Sequence, residues 1–130
     1  MASELEQARL WLTLAQEKLL VARDLLKLTH YDDVVSKAYY VMFYAAKAAL
    51  AAHGVDARRH SGAIALFGQE FVKSGRLDVH YLRLLTQAMQ AREASDYDPT
   101  LRASEDDARS ALAHAELFLN KVLELLGSLT

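Results

Sequence analysis

The chain has 130 residues, enough for one domain with its own core and too few for several. It carries 15 basic and 17 acidic side chains, a net charge of −2, so no strong overall pull toward nucleic acid or anionic lipid is expected. It has no cysteine, which excludes disulfides, thiol nucleophiles and thiolate metal sites, and no apolar run reaches membrane-spanning length.

Met1 to Glu6 is acidic and amphipathic and does not read as a signal peptide, so the cytoplasm is the expected location. Ser3 and Glu6 form an S-x-x-E capping box that opens the first helix. Leu5, Ala8, Leu12, Ala15, Leu19, Ala22 and Leu26 follow at alternating spacings of three and four, and the helix is expected to end near Thr29 or His30. Leu10, Leu14, Val21, Leu25 and Leu28 broaden its apolar stripe, as in a helix with two neighbours. After a tight turn, Asp32 or Asp33 is expected to cap a second helix reaching His53, with Gly54 as its stop. Its many alanines allow close approach and predict a central position. Val55 to Arg59 reads as a short basic loop. Ser61 can cap a third, shorter helix carrying Ile64, Phe67 and Phe71, and Gly75 stops it. Asp78 caps a fourth helix to about Ser95, and Asp96 to Ala103 reads as a loop. Ser104 opens the last helix, with Glu105, Asp106 and Asp107 in the first turn, where the helix dipole favours negative charge. No segment alternates like a strand. The expected architecture is all-α: one domain over residues 1–130, an antiparallel bundle of about five helices, four long and one short.

Arg92 stands out because it continues an apolar stripe, after Tyr81, Leu85 and Ala88 on one edge and Leu82 and Met89 on the other. A charge there needs a partner. Asp96 lies one turn later, Tyr97 follows, and Pro99 is the only proline. Two readings fit. One is a helix-terminal ion pair with a packed Tyr97. The other is a polar pocket in which Arg92 holds a phosphate and Asp96 orients it, since a planar guanidinium matches phosphate oxygens.

Lys37, Tyr40 and Tyr44 share one helical face, either as core aromatics or as a platform on which a base stacks while Lys37 meets its phosphate. Arg58, Arg59 and His60 are the densest basic cluster, either solvated charge or an anion site beside the start of the third helix. His60 is the candidate acid or base. The remaining histidines are scattered. No Glu-x-x-His pair, nucleophile elbow or glycine-rich phosphate loop is present, so no metal or cofactor is expected.

The segment from Ser36 to Ala48, SKAYYVMFYAAKA, closely resembles the central helix of the HEPN domain family, named for a nucleotide-binding domain of higher eukaryotes and prokaryotes. The likeness continues through His60-Ser61-Gly62, Leu66 to Val72 and Arg92 to Asp98, in order, and covers nearly the whole chain. It is nearest to the stand-alone, single-domain prokaryotic branch. The resemblance implies a helical bundle that forms a homodimer and a pairing with a small nucleotidyltransferase as toxin and antitoxin. It also implies kinship with metal-independent ribonucleases, whose signature is an Arg and a His with four to six residues between them.

This chain departs from that signature. Tyr97, Asp98 and Pro99 stand where the His is expected, and neither an ordinary Tyr nor an ordinary Asp titrates near pH 7. Arg23 to His30 and Arg109 to His114 show a similar spacing, but away from the family's motif position. Whether the chain is an enzyme therefore stays open. The first expectation is a nucleotide- or RNA-binding partner of a nucleotidyltransferase. The alternatives are a ribonuclease with a divergent motif, in which Arg92 stabilises charge and His60 or Tyr97 moves a proton, and a ligand-free scaffold dimer.

Overall fold

The computed structural model of the chain describes residues 3–56 and 60–127, with His60 and Ser61 described by their backbone alone. The described residues form five α-helices and no strand: α1 (Glu4–Lys27), α2 (Tyr31–Ala52), α3 (His60–Phe67), α4 (Val79–Tyr97) and α5 (Glu105–Leu126). This is the expected all-α bundle, with α3 as its short member.

Three helix starts follow from a single side-chain oxygen each. Ser3 accepts from the amide of Glu6 at 3.1 Å, Asp78 from that of His80 at 2.8 Å, and Ser104 from that of Asp107 at 3.0 Å. Asp107 returns the bond to the Ser104 amide, which completes a capping box.

The start of α2 differs from expectation. Neither Asp32 nor Asp33 caps it, and His30 takes the cap position without a side-chain bond. The backbone does the work instead. Thr29 adopts a left-handed conformation, φ 63°, its amide bonds to the Leu26 carbonyl, and the His30 amide bonds to the Leu25 carbonyl. Those are the two bonds of a Schellman corner. They end α1 at Lys27, short of Thr29, and turn the chain directly back along α1. Asp32 is thereby free to reach another element: it accepts from the Ala103 amide at 2.6 Å and pairs with Arg102 at 2.7 Å.

The end of α4 also differs. It runs past Ser95 through Tyr97, so Asp96 and Tyr97 are helical. Proline pushes the residue before it away from helical backbone. That residue is Asp98, which is extended and accepts from the Thr100 amide and hydroxyl. After α3 the chain widens into a π-helical turn over Gly68–Val72, closed by the Lys73 amide on the Gly68 carbonyl at 3.0 Å. A plain helix to Gly75 was expected there.

α2 packs against every other helix, and Ala45, Ala46, Ala48 and Ala49 are fully buried along it. At the other end of the core, Phe67 touches Phe71 and Phe118, with ring centroids 5.2 and 5.4 Å away. α4 leans on α2 but barely meets α5. A cleft therefore opens between α4 and α5 on one flank of α4. Arg92 does not line it.

Candidate functional site

Arg92 sits near the end of α4, and its guanidinium lies over two rings of α2. Its Cζ is 5.0 Å from the Tyr39 ring centroid and 5.7 Å from that of Tyr40. The negative ring faces attract the cation. Nη1 donates to Asp96 Oδ2 at 2.9 Å. The Arg92 side chain is only 19% exposed, whereas Asp96 is 60% exposed. Nε is buried and has no hydrogen-bond partner among the described residues. Nε is closed off from any ligand, so a planar cation held on two rings can take an oxyanion only at the part of its fork that solvent reaches.

Tyr39 is fully buried, and burial pushes its phenol up to about 12 even though Arg92 opposes the shift. It stays protonated at neutral pH and supplies a ring face, not a base. Tyr40 is edge-on to Tyr39 at 5.2 Å and lies 5.8 Å from Tyr44. Tyr44 stacks on Trp11 of α1 at 5.7 Å, and Lys47 Nζ sits 5.0 Å above the Trp11 ring. Burial lowers the Lys47 ammonium's affinity for its proton, countered by Asp56 at 3.9 Å. A row of rings thus runs from Arg92 to Lys47 with a cation at each end.

Tyr40, Tyr44, Arg92 and Asp96 come together as the sequence suggested, and Lys37 lies half-buried one turn before Tyr40. Tyr97 does not join them. It is 87% exposed, and no ring contact or hydrogen bond ties it to Arg92. It follows Arg92 by five residues and so leaves the helix in another direction. The phenols around the guanidinium are Tyr39 and Tyr40. Arg58 and Arg59 lie outside the described residues, and His60 opens α3 with its side chain also outside them.

The two other Arg-to-His spacings lead to ordinary surface pairs. Arg23 pairs with Glu116 at 3.3 Å, and Arg109 with Glu105 at 2.8 Å. His53 is structural. Arginine can only donate, so Arg76 fixes Nε2 of His53 as the acceptor, and Nδ1 donates to the Ala49 carbonyl at 3.1 Å. No group of His, Asp and Glu able to hold a metal occurs among the described residues, and no described helix is long and apolar enough to cross a membrane.

Sequence reasoning missed Tyr39, Trp11 and Lys47. Lys47 was within reach, because it continues the Tyr40–Tyr44 spacing by three. Trp11 comes from a different helix, and nothing in the local pattern announces it.

The HEPN domain family model matches residues 8–125. A Methanocaldococcus jannaschii protein named as a candidate toxin is 34% identical over 88% of this chain and 78% of its own length. A second from that organism, with the same kind of name, is 32% identical over 93% of this chain and 90% of its length. A UPF0332 protein of Gloeobacter violaceus is 36% identical over 87% of this chain and 90% of its length.

Proposed function

The chain belongs to the HEPN domain family, and from that premise we propose that it is the toxin-type member of a two-protein system. In this reading it binds a nucleotide or an RNA phosphate on Arg92 and meets a small nucleotidyltransferase as its partner in the cytoplasm. The observation that carries the ligand is the Arg92 guanidinium, held over Tyr39 and Tyr40 and still partly open to solvent. Asp96 keeps the guanidinium in plane, and its exposure lets it swing aside when a phosphate arrives. Tyr40, Tyr44 and Trp11 offer ring surface beside that phosphate, and base stacking on such a ring is worth about 1–3 kcal/mol.

Binding is favoured over cleavage because no imidazole stands after Arg92, and Tyr39, the ring nearest the guanidinium, holds its proton too tightly to act as a base at neutral pH. Dimerisation belongs to the same proposal. Leu10, Leu14, Val21 and Leu28 are exposed along one side of α1, a stripe suited to a second subunit. Sedimentation of the purified chain as a dimer supports that element, and sedimentation as a monomer removes it.

The test pairs ligand binding with partner capture. Fluorescence anisotropy with labelled ATP and with a short single-stranded RNA should show binding that Arg92→Ala weakens about thirtyfold or more while its circular dichroism is unchanged. Tagged chain drawn from its native cell should bring down a nucleotidyltransferase. Failure of both ligands to bind refutes the phosphate site, and absence of a nucleotidyltransferase refutes the pairing. RNA cleavage that vanishes in Arg92→Ala would move the site from binding to catalysis.

A further inference from the structure

We propose that the cleft between α4 and α5 binds a small amphiphile, a short alkyl or single-ring body carrying a protonated amine. The cleft has a volume of about 440 Å³. Pockets that take small molecules span roughly 300–1,000 Å³. Arg92 does not line it. Ala88 and Ser95 border Arg92 on the helix surface, but neither Tyr39 nor Tyr40 lines the cleft, so its lining differs from that of the phosphate site and the proposal does not depend on that assignment.

Sequence explains why the space exists. α4 turns Ala88, Ala91 and Ala94 toward α5, where longer side chains would close the gap. The connection between α4 and α5 is bolted to the start of α2. Asp32 holds the Ala103 amide at 2.6 Å and Arg102 at 2.7 Å, and all three residues line the cleft. This brace fixes the mouth. The floor is apolar: Val35, Ala38 and Met42 from α2, Leu84 from α4, and Ala111 from α5. Met42 is unbranched and can adapt to the shape of an apolar body.

The lining decides the sign of the head group. It bears two carboxylates, Asp32 and Asp107, and one guanidinium, Arg102. Asp32 and Arg102 neutralise each other. Asp107 accepts from the Ser104 amide, and no cation is paired with it among the described residues. Ser110 and His114 continue the same wall along α5 with further hydrogen-bonding groups. An ammonium placed there gains an ion pair, and a carboxylate or phosphate meets like charge.

Octylamine, octanol and octanoate share one body and differ in the head, so they test the proposal directly. Amide NMR titration at neutral pH should show shifts centred on Ala38, Met42, Ala88 and Ala111. Octylamine should bind about fivefold tighter than octanol, the scale of a partly exposed ion pair, and octanoate should bind weakest. Ala91 is exposed, so Ala91→Leu should fold normally, fill the cleft and weaken octylamine about tenfold or more. Asp107→Asn keeps an oxygen for the Ser104 amide and should remove the preference for the amine over the alcohol. The proposal falls if octanoate binds as tightly as octylamine, if Ala91→Leu binds normally, or if none of the three shifts these amides.

Discussion

Arg92 on α4 and Arg109 on α5 each reach a carboxylate one turn away, Asp96 at 2.9 Å and Glu105 at 2.8 Å. The spacing is the same and the distances nearly so. The surroundings are not. Arg109 is 61% exposed and Arg92 only 19%. Tyr31 donates to Glu105 at 3.2 Å, so the α5 pair is a surface network near the start of its helix. The α4 pair rests on two rings of another helix and leaves one donor unused. An ion pair becomes a site when the core holds one partner still and water reaches the other. The pair itself contributes little of that.

The largest expected consequence of this contrast is in ligand binding. Arg92→Ala should cost about 2 kcal/mol or more of phosphate-ligand affinity, roughly thirtyfold in Kd, whereas Arg109→Ala should leave Kd unchanged. Arg92→Met should lose binding equally and yet unfold within about 1 kcal/mol of the parent. An apolar chain of similar length replaces a half-buried charge at little net cost.

A second contrast is in pH. The Tyr39 phenol is pushed up to about 12 by burial, so its contribution to stability is complete below its unfolded value near 10 and is lost as pH rises toward 12. Urea denaturation of Tyr39→Phe should show a flatter alkaline limb than the parent. Glu105 behaves in the opposite sense. Arg109 and Tyr31 hold its carboxyl below the ordinary range, so its stabilisation is complete above the unfolded Glu value and is lost as pH falls through the folded one. Glu105→Gln should flatten the acid limb and leave the alkaline limb alone. If Tyr39→Phe changed only the acid limb, the view of α4 as the buried site would fail.

The smallest effect sharpens the comparison from the other side. Arg109→Ala should shift the urea midpoint only slightly, no more than 1 M salt shifts that of the parent. A shift several times larger would show that the α5 pair does more than decorate a surface.

Much of the fold was legible because it rests on local chemistry. Ser3, Asp78 and Ser104 announce three helix starts through oxygens at the right offset. The start of α2 was not legible, because its corner is built from backbone bonds around Thr29 and calls on no side chain. The site divides in the same way. Arg92 was visible as a charge on an apolar stripe, and Asp96 as its neighbour one turn on. Tyr97 was expected beside them because it is adjacent in sequence. Direction along a helix decides such contacts, and Arg92 instead faces Tyr39 and Tyr40, more than fifty residues earlier. Trp11 is further from any local signal, since only the packing of α1 on α2 brings it to Tyr44.

Gly68 has an effect far from its own position. A methyl group there would lie 3.0 Å from Leu82 Cδ2, so the bare backbone sets how closely α4 can settle beside the wide turn. Leu82 and Arg92 are ten residues apart on one rigid rod, about 15 Å. Leu82 Cδ2 is the tip of a flexible, half-buried side chain, so a methyl at Gly68 presses first on that leucine and only then on the helix behind it. Gly68→Ala therefore asks which of the two gives way, and the variant's Kd for the phosphate ligand reads the answer through an atom that never meets the anion.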